Sequence, residues 1–181
     1  MDELNTVMFP GCFTLDDLWR RASSLWPHKD CLGTREVKKT EFEVQPNGRK
    51  FKKVTLGSYI WETYADCEKR IAAFGSGLYA LGYNPDDHVV IFSETRAEWL
   101  LSAQACFRYK MPVVTLYSTL GDDAIIHGVN EAEAKVLVTS DELLSKIVNI
   151  SKRLPNVKHI IYMNTGIFPH TLTQAGLEAA R

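Results

Sequence analysis

No apolar run in this 181-residue sequence approaches the roughly 18–20 residues needed to span a bilayer. The first residues, MDELNTVMFPG, start acidic and lack the apolar core of a secretory signal. Cysteine is scarce. Cys12, Cys31, Cys67 and Cys106 stand far apart with no C-x-x-C pair, so reduced thiols in a cytosolic setting are expected. His28, His88, His127, His159 and His170 show neither H-x-x-H nor H-E-x-x-H spacing, which leaves metal binding without support. No G-x-S-x-G marks a nucleophile. An excess of one charge is also lacking. The formal net charge is -1, so no global field points to nucleic acid or an anionic membrane as partner. The sequon at Asn149-Ile-Ser151, without a signal peptide, is read as chance.

What is present is ordinary for a soluble globular protein: 45% hydrophobic and 24% charged residues, in a length that suits one domain. Three regions follow one another without an internal repeat. Residues 12–30 predict one helix. Thr14 caps it, Asp16 and Asp17 sit in its first turn, Leu15, Leu18, Ala22 and Leu25 line one face, and Pro27 ends it. Residues 31–62 predict an extended pair of strands turning at Gln45-Pro46-Asn47-Gly48. Tyr59 and Trp61 suggest that the return strand packs on the main body.

Residues 63–163 predict the core. Tyr64, Cys67, Ile71, Phe74, Leu78 and Leu81 recur at three-and-four spacing behind Thr63, with Gly82 closing the helix. Strands are expected at His88–Phe92, Pro112–Tyr117, Lys135–Thr139 and His159–Met163. Between them lie helices expected to open at a Thr95–Glu98 capping box, at Asp122-Asp123 and at Ser140. This alternation predicts an α/β fold, a parallel sheet flanked by helices, with a β-rich N-terminal segment. Residues 164–181 are expected to form an irregular tail.

Ligands of open α/β sheets sit beyond the carboxyl ends of the strands, so those loops carry the candidates. Ser93-Glu94-Thr95-Arg96 places carboxylates where a phosphate would sit, and reads as helix capping. Ser118-Thr119-Leu120-Gly121 offers two hydroxyls and a glycine. Ser118, Thr119 and Gly121 are therefore the candidate cofactor-binding residues, although Asp122 and Asp123 already offset the helix dipole. Ser140-Asp141-Glu142 is acidic again, and Asn164-Thr165-Gly166 is too short to judge. Gly75-Ser76-Gly77-Leu78-Tyr79-Ala80 matches G-x-G-x-x-A but lies inside a helix, where small residues serve close packing. Arg49, Lys50, Lys52 and Lys53 around Phe51 read as a solvated strand face that could also meet anionic lipid or a phosphate. His127 is expected to pair with Asp123 on a helix surface.

Longer stretches carry a resemblance. FPGCFTLDDLW (9–19), LGTREV (32–37), QPNGRKFKKVTLGSYIWETY (45–64), FGSGLYALG (74–82), FSETRAEWLLSAQACFRY (92–109), VTLYSTLGDDAIIHGVNEAEAKVLVTS (114–140) and VKHIIYM (157–163) resemble, in order, the long-chain fatty acid–CoA ligases of the adenylate-forming superfamily. The resemblance implies that residues 1–163 form the N-terminal portion of an AMP-dependent synthetase/ligase domain, part of that fold's large domain. Such ligases activate a long-chain fatty acid with ATP and Mg2+ to an acyl-adenylate and pass it to coenzyme A. They are often found on endoplasmic reticulum, mitochondrial outer or peroxisomal membranes. Their chemistry needs a Ser/Thr/Gly-rich loop ending in Pro-Lys, a Tyr-Gly-x-Thr-Glu segment, a ribose-binding Asp and a late catalytic Lys. None of these occurs in this sequence. The chain is therefore expected to be inactive alone, to bring no catalytic residue, metal ligand or cofactor of its own, and to need the remainder of the ligase domain as partner. The alternative is a non-catalytic nucleotide- or acyl-binding or interaction module that pairs with a full-length ligase. The implied piece would leave an exposed sheet edge near His159–Met163 and apolar helix faces without partners.

Overall fold

The two central strands of the core are short, mostly β-branched runs buried on both faces, and this dictates a sheet sandwiched between helices. In the computed structural model, which describes residues 9–163, β3 (Val89–Phe92), β4 (Val113–Leu116), β5 (Val136–Ser140) and β6 (His159–Met163) form one parallel sheet in the order β4-β3-β5-β6. The expected tail at 164–181, with Asn164-Thr165-Gly166, lies outside the described residues.

Alternation along the strands sorts the core into two layers. Val89, Ile91, Val136 and Val138 pack with Leu78 of α2 (Tyr64–Ala80) and with Ala103 and Cys106 of α3 (Ala97–Arg108). Val90, Phe92 and Leu137 face the other way, onto α4 (Asp122–Glu131) and α5 (Asp141–Ile150). A third cluster joins α2 and α3 to α1 (Leu15–Leu25) through Trp19, Cys67, Ile71, Leu101 and Ala105. In α1 the capping box forms between Thr14 and Asp17, but Trp19 is the buried anchor. Leu15 and Leu25 are exposed, contrary to the stripe expected from spacing, because the helix meets its neighbours along the Trp19 side.

Helix α2 carries the predicted stripe at Cys67, Ile71 and Leu78, and Gly82 closes it with φ +89°. The Tyr83 amide donates to Leu78 O at 3.2 Å and the Gly82 amide to Tyr79 O at 2.9 Å, a left-handed helix stop. Leu81 falls outside the stripe and is exposed. Gly75 is the small residue that matters. A Cβ there would stand 2.3 Å from Tyr109 Cε2, whose hydroxyl is held 2.9 Å from Ser76 Oγ. A Cβ on Gly77 meets nothing within 4 Å. Gly75→Ala is therefore expected to destabilise by about 1–3 kcal/mol through overpacking. Gly77→Ala should stabilise by about 0.5–1 kcal/mol through helix propensity. Denaturant midpoints of the two variants, moving in opposite directions, check the packing role of this motif.

The extended segment forms a long antiparallel hairpin, β1 (Asp30–Val44) and β2 (Lys50–Thr63), as a separate two-stranded sheet. Tyr59 and Trp61 do not pack on the core. They stack on each other at 5.4 Å, and the Trp61 ring lies over Gly33 of the paired strand. Glycine leaves room that the indole fills, so the aromatic pair stabilises the ribbon itself.

Candidate functional site

The strand order fixes where a ligand could bind. From β3 the chain crosses to β4 through α3 on one face, then returns past β3 to β5 through α4 on the other. The direction reverses between β3 and β5, and the crevice beyond their carboxyl ends is the topological switch point. Ser93 and Thr139-Ser140 stand there, next to Phe92 and Val138.

All three hydroxyl residues are buried. Ser93 Oγ donates to Glu94 O at 3.1 Å, whereas Thr139 Oγ1 and Ser140 Oγ have no hydrogen-bond partner among the described residues. Ser140 occupies the N-cap of α5 without accepting a bond from it, so the expected side-chain cap is absent. The Thr95–Glu98 box is absent as well. Arg96 holds the N-cap position of α3 without a side-chain cap, and Glu98 instead accepts from Arg96 Nε at 2.8 Å and lies 3.6 Å from Arg70 Nη2. Burial pushes the Glu98 carboxyl up, but Arg96, the backbone amide and the Arg70 charge outweigh it and hold the group below the usual carboxylate range. It is thus an anion at the mouth of α3.

The Ser118–Gly121 loop lies beyond the carboxyl end of β4. Ser118 is half-buried, while Thr119 and Gly121 are exposed. Gly121 is the N-cap of α4 with φ -72°, and a Cβ on it would meet open space, so neither backbone nor packing demands glycine there. Lys146 of α5 reaches across to donate to Leu120 O, stands 3.9 Å from Asp122 Oδ1, and lies 6.0 Å above the Phe92 ring. This clamp ties the loop to α5, and its charge is already engaged. Asp123 pairs with Arg153 Nη1 at 2.9 Å, not with His127 as spacing suggested, because the 3-10 turn after α5 brings Arg153 alongside.

Among the described residues, the groups that line this crevice and are buried there are the hydroxyls of Ser93, Thr139 and Ser140. Carboxylates fill the first turns of α3, α4 and α5: Glu98, Asp122, Asp123, Asp141 and Glu142. They oppose a phosphate at any of these helix mouths. Among the described residues no group of three or more His, Cys, Asp or Glu is placed to hold a metal ion. Burial pushes the thiols of Cys67 and Cys106 up to about 12, so they are protonated packing residues at neutral pH. Sequence reasoning located the Ser118–Gly121 loop and Ser140. It missed Thr139, whose only signal is a hydroxyl ending the apolar run VLV, and Lys146, whose reach across to the loop no local spacing reveals.

Beside β6 lies an apolar groove of about 660 Å3 lined by Phe74, Leu78, Leu101, Val138, Ile161 and Met163, with Arg70 and Glu98 also in its wall. Helices α2 and α3 cover β3 and β5 there, while β6 is the sheet's outermost strand among the described residues. Among the described residues no helix is long and apolar enough to cross a membrane.

Known proteins share this arrangement. The chain is 40% identical over 161 residues to long chain acyl-CoA synthetase 8 of Arabidopsis thaliana, an alignment covering 89% of this chain and 22% of that protein. It is 32% identical over 169 residues to long-chain-fatty-acid–CoA ligase 1 of Cavia porcellus, covering 91% and 22%. The chain thus spans only about a fifth of the length of these relatives. Two solved structures share the fold with a TM-score of 0.71. They are the adenylation domain of a carboxylate reductase from Mycobacterium chelonae, at 22% identity over 88% of this chain and 24% of that one, and the A-PCP didomain of a carboxylic acid reductase from Segniliparus rugosus in complex with AMP, at 18% over 95% and 23%. Residues 42–180 match the AMP-binding enzyme family. That match covers more than half of the 181 residues and includes the whole parallel sheet, and the chain belongs to this family of AMP-binding enzymes.

Proposed function

We propose that this chain serves ATP-dependent activation of long-chain fatty acids to acyl-CoA, as the scaffold portion of a fatty acid–CoA ligase domain formed by residues 1–163. The observation that carries the reading is the long collinear similarity to such ligases, which spans about nine-tenths of this chain. Residues outside this chain supply the groups that bind ATP and Mg2+ and that transfer the acyl group to coenzyme A. The described residues do not fit those phosphates, since carboxylates stand in the first turns of α3, α4 and α5. The part assigned to this chain is support. Phe92 and Lys146 hold the Ser118–Gly121 loop against α5, and Ser118, Thr119 and Gly121 are the residues of that loop we assign to contact a ligand.

The test is ATP–pyrophosphate exchange with a long-chain fatty acid. The purified 181-residue chain is expected to show none, and turnover by it would refute the scaffold reading. A second reading, an interaction module that pairs with a full-length ligase, draws on the apolar groove beside the edge strand β6. A pull-down in which the chain fails to retain the full ligase would remove it.

A further inference from the structure

The β1–β2 hairpin concentrates charge that the whole chain lacks. Residues 38–55 hold six cations (Lys38, Lys39, Arg49, Lys50, Lys52, Lys53) against two anions (Glu41, Glu43), a net +4 in a chain of net -1. The same tip exposes large apolar side chains: Phe42 at 66%, Val44 at 63% and Phe51 at 59%. Register separates the two faces. Thr40, Phe42 and Val44 stand opposite Val54, Lys52 and Lys50, so one face of the hairpin carries apolar and basic residues and no acid of its own, with Glu142 of α5 meeting it at Lys52. Glu41 and Glu43 lie on the other face, opposite Lys53 and Phe51.

The ribbon is held in place. Lys52 Nζ donates to Glu142 Oε1 at 2.8 Å, and the turn is closed by the Gln45 amide on Arg49 O and the Gly48 amide on Gln45 O, both at 2.8 Å. A paired tip of this kind can enter the headgroup region with few unpaired backbone groups, and apolar residues rimmed by lysines match the boundary of an anionic bilayer. Nucleic acid would answer the charge but leave Phe42 and Val44 in water. A second copy of the chain would have to bring two basic faces together.

We propose that the tip of this hairpin docks onto an anionic lipid bilayer. The tip enters end-on: Phe42 and Val44 from one face and Phe51 from the other enter the boundary, and Arg49, Lys50 and Lys53, which outnumber Glu41 and Glu43, lie against the lipid phosphates. This inference does not rest on the ligase reading.

Co-sedimentation of the 181-residue chain with vesicles tests it. Binding is expected to mixed phosphatidylserine and phosphatidylcholine vesicles but not to pure phosphatidylcholine. It should weaken as salt rises from about 0.1 M to about 0.5 M. Neutralising Arg49, Lys50 and Lys53 to glutamine should lower partitioning roughly fivefold per residue, or roughly 100-fold together. Phe42→Ser with Phe51→Ser should also release the protein, while both variants, altered only at exposed positions, keep the parent far-ultraviolet circular dichroism. Equal binding to neutral vesicles, no binding to either, or variants that bind like the parent would overturn the proposal. So would retention by heparin, or self-association in sedimentation velocity, without vesicle binding.

Discussion

Replacing Phe92 by alanine is expected to lower the unfolding free energy by about 3–5 kcal/mol. The ring is fully buried at the end of β3, between Leu116 of β4 and Thr139 of β5 in register. It packs among Ile125, Ile126, Val129, Leu137 and Ile147, so its removal leaves a cavity bounded by the sheet and by α4 and α5. Strands fixed on both sides cannot close that space, and the lost contacts add to the transfer term. Phe92→Leu, which keeps most of the volume, should cost less, about 1–2 kcal/mol. Phe42→Ala, at an exposed position, should move stability by less than about 0.5 kcal/mol. Denaturant titrations of the three variants check the order. A cost for Phe92→Ala no greater than for Phe42→Ala would mean that the sheet does not pack as described. Because Phe92 precedes Ser93 and underlies Lys146, the same substitution should loosen the Ser118–Gly121 loop.

Arg108→Ala is expected to cost about 2–4 kcal/mol, somewhat below the range for a fully buried pair because one partner is partly in solvent. The Arg108 side chain is 9% exposed, and its carboxylate partners Asp16 and Glu68 are 14% and 33% exposed. Its Nε donates to Asp16 Oδ1 at 2.9 Å, and Nη1 and Nη2 donate to the two Glu68 oxygens at 2.7 and 2.9 Å. Trp19 Nε1 completes the set on Glu68 Oε2 at 2.9 Å. One guanidinium thus joins α1, α2 and α3, and its loss leaves Asp16 to Arg20, whose Nε donates to Asp16 Oδ2 at 2.7 Å, and Glu68 to Trp19. Arg108→Lys, which cannot make the fork, should recover only part of the loss.

The same network sets a pH dependence. The Arg108 hydrogen bond holds the Glu68 carboxyl below the usual range, against the upward push of burial, with Trp19 and the Arg108 charge helping. A depressed folded-state pKa stabilises at pH values above the unfolded pKa of about 4.3, and that contribution is lost as pH falls through the folded pKa. Acid denaturation of the parent should therefore steepen below about pH 4.3, and Glu68→Gln should flatten the curve in that window. An unchanged acid limb in Glu68→Gln would contradict the assignment.

Much of the fold was legible because the signals were physical and local. The central strands β3 and β5 follow from β-branched runs buried on both faces, β4 and β6 from partly buried apolar runs, and β6 spans His159–Met163 as expected. Helix α2 follows from its stripe and from Gly82. The less legible features depended on partners far away in sequence. Leu15 and Leu25 belong to an apparent stripe that tertiary packing overrides in favour of Trp19. The Thr95–Glu98 box loses to Arg96 and Arg70, which engage the glutamate. Helices α3 and α4 also end in left-handed residues, but there Lys110 (φ 57°) and Glu133 (φ 48°) take the position that glycine takes after α2. The Met111 amide closing on Cys106 O and the Ala134 amide closing on Val129 O hold those turns in place. At the site, the loop with Ser118, Thr119 and Gly121 could be found from strand–helix alternation. Thr139 and Lys146 could not, since their burial and reach exist only once the sheet is assembled.

Ligase activity of a chimera tests the central claim most directly. The 161-residue stretch of the Arabidopsis relative that aligns with this chain would be replaced by the matching residues of this chain, and acyl-CoA formation from a long-chain fatty acid, ATP and coenzyme A measured. The scaffold account predicts that the chimera forms acyl-CoA while the 181-residue chain alone forms none. A chimera that melts cooperatively like the parent ligase yet makes no acyl-CoA, or an isolated chain that makes it, would contradict the account.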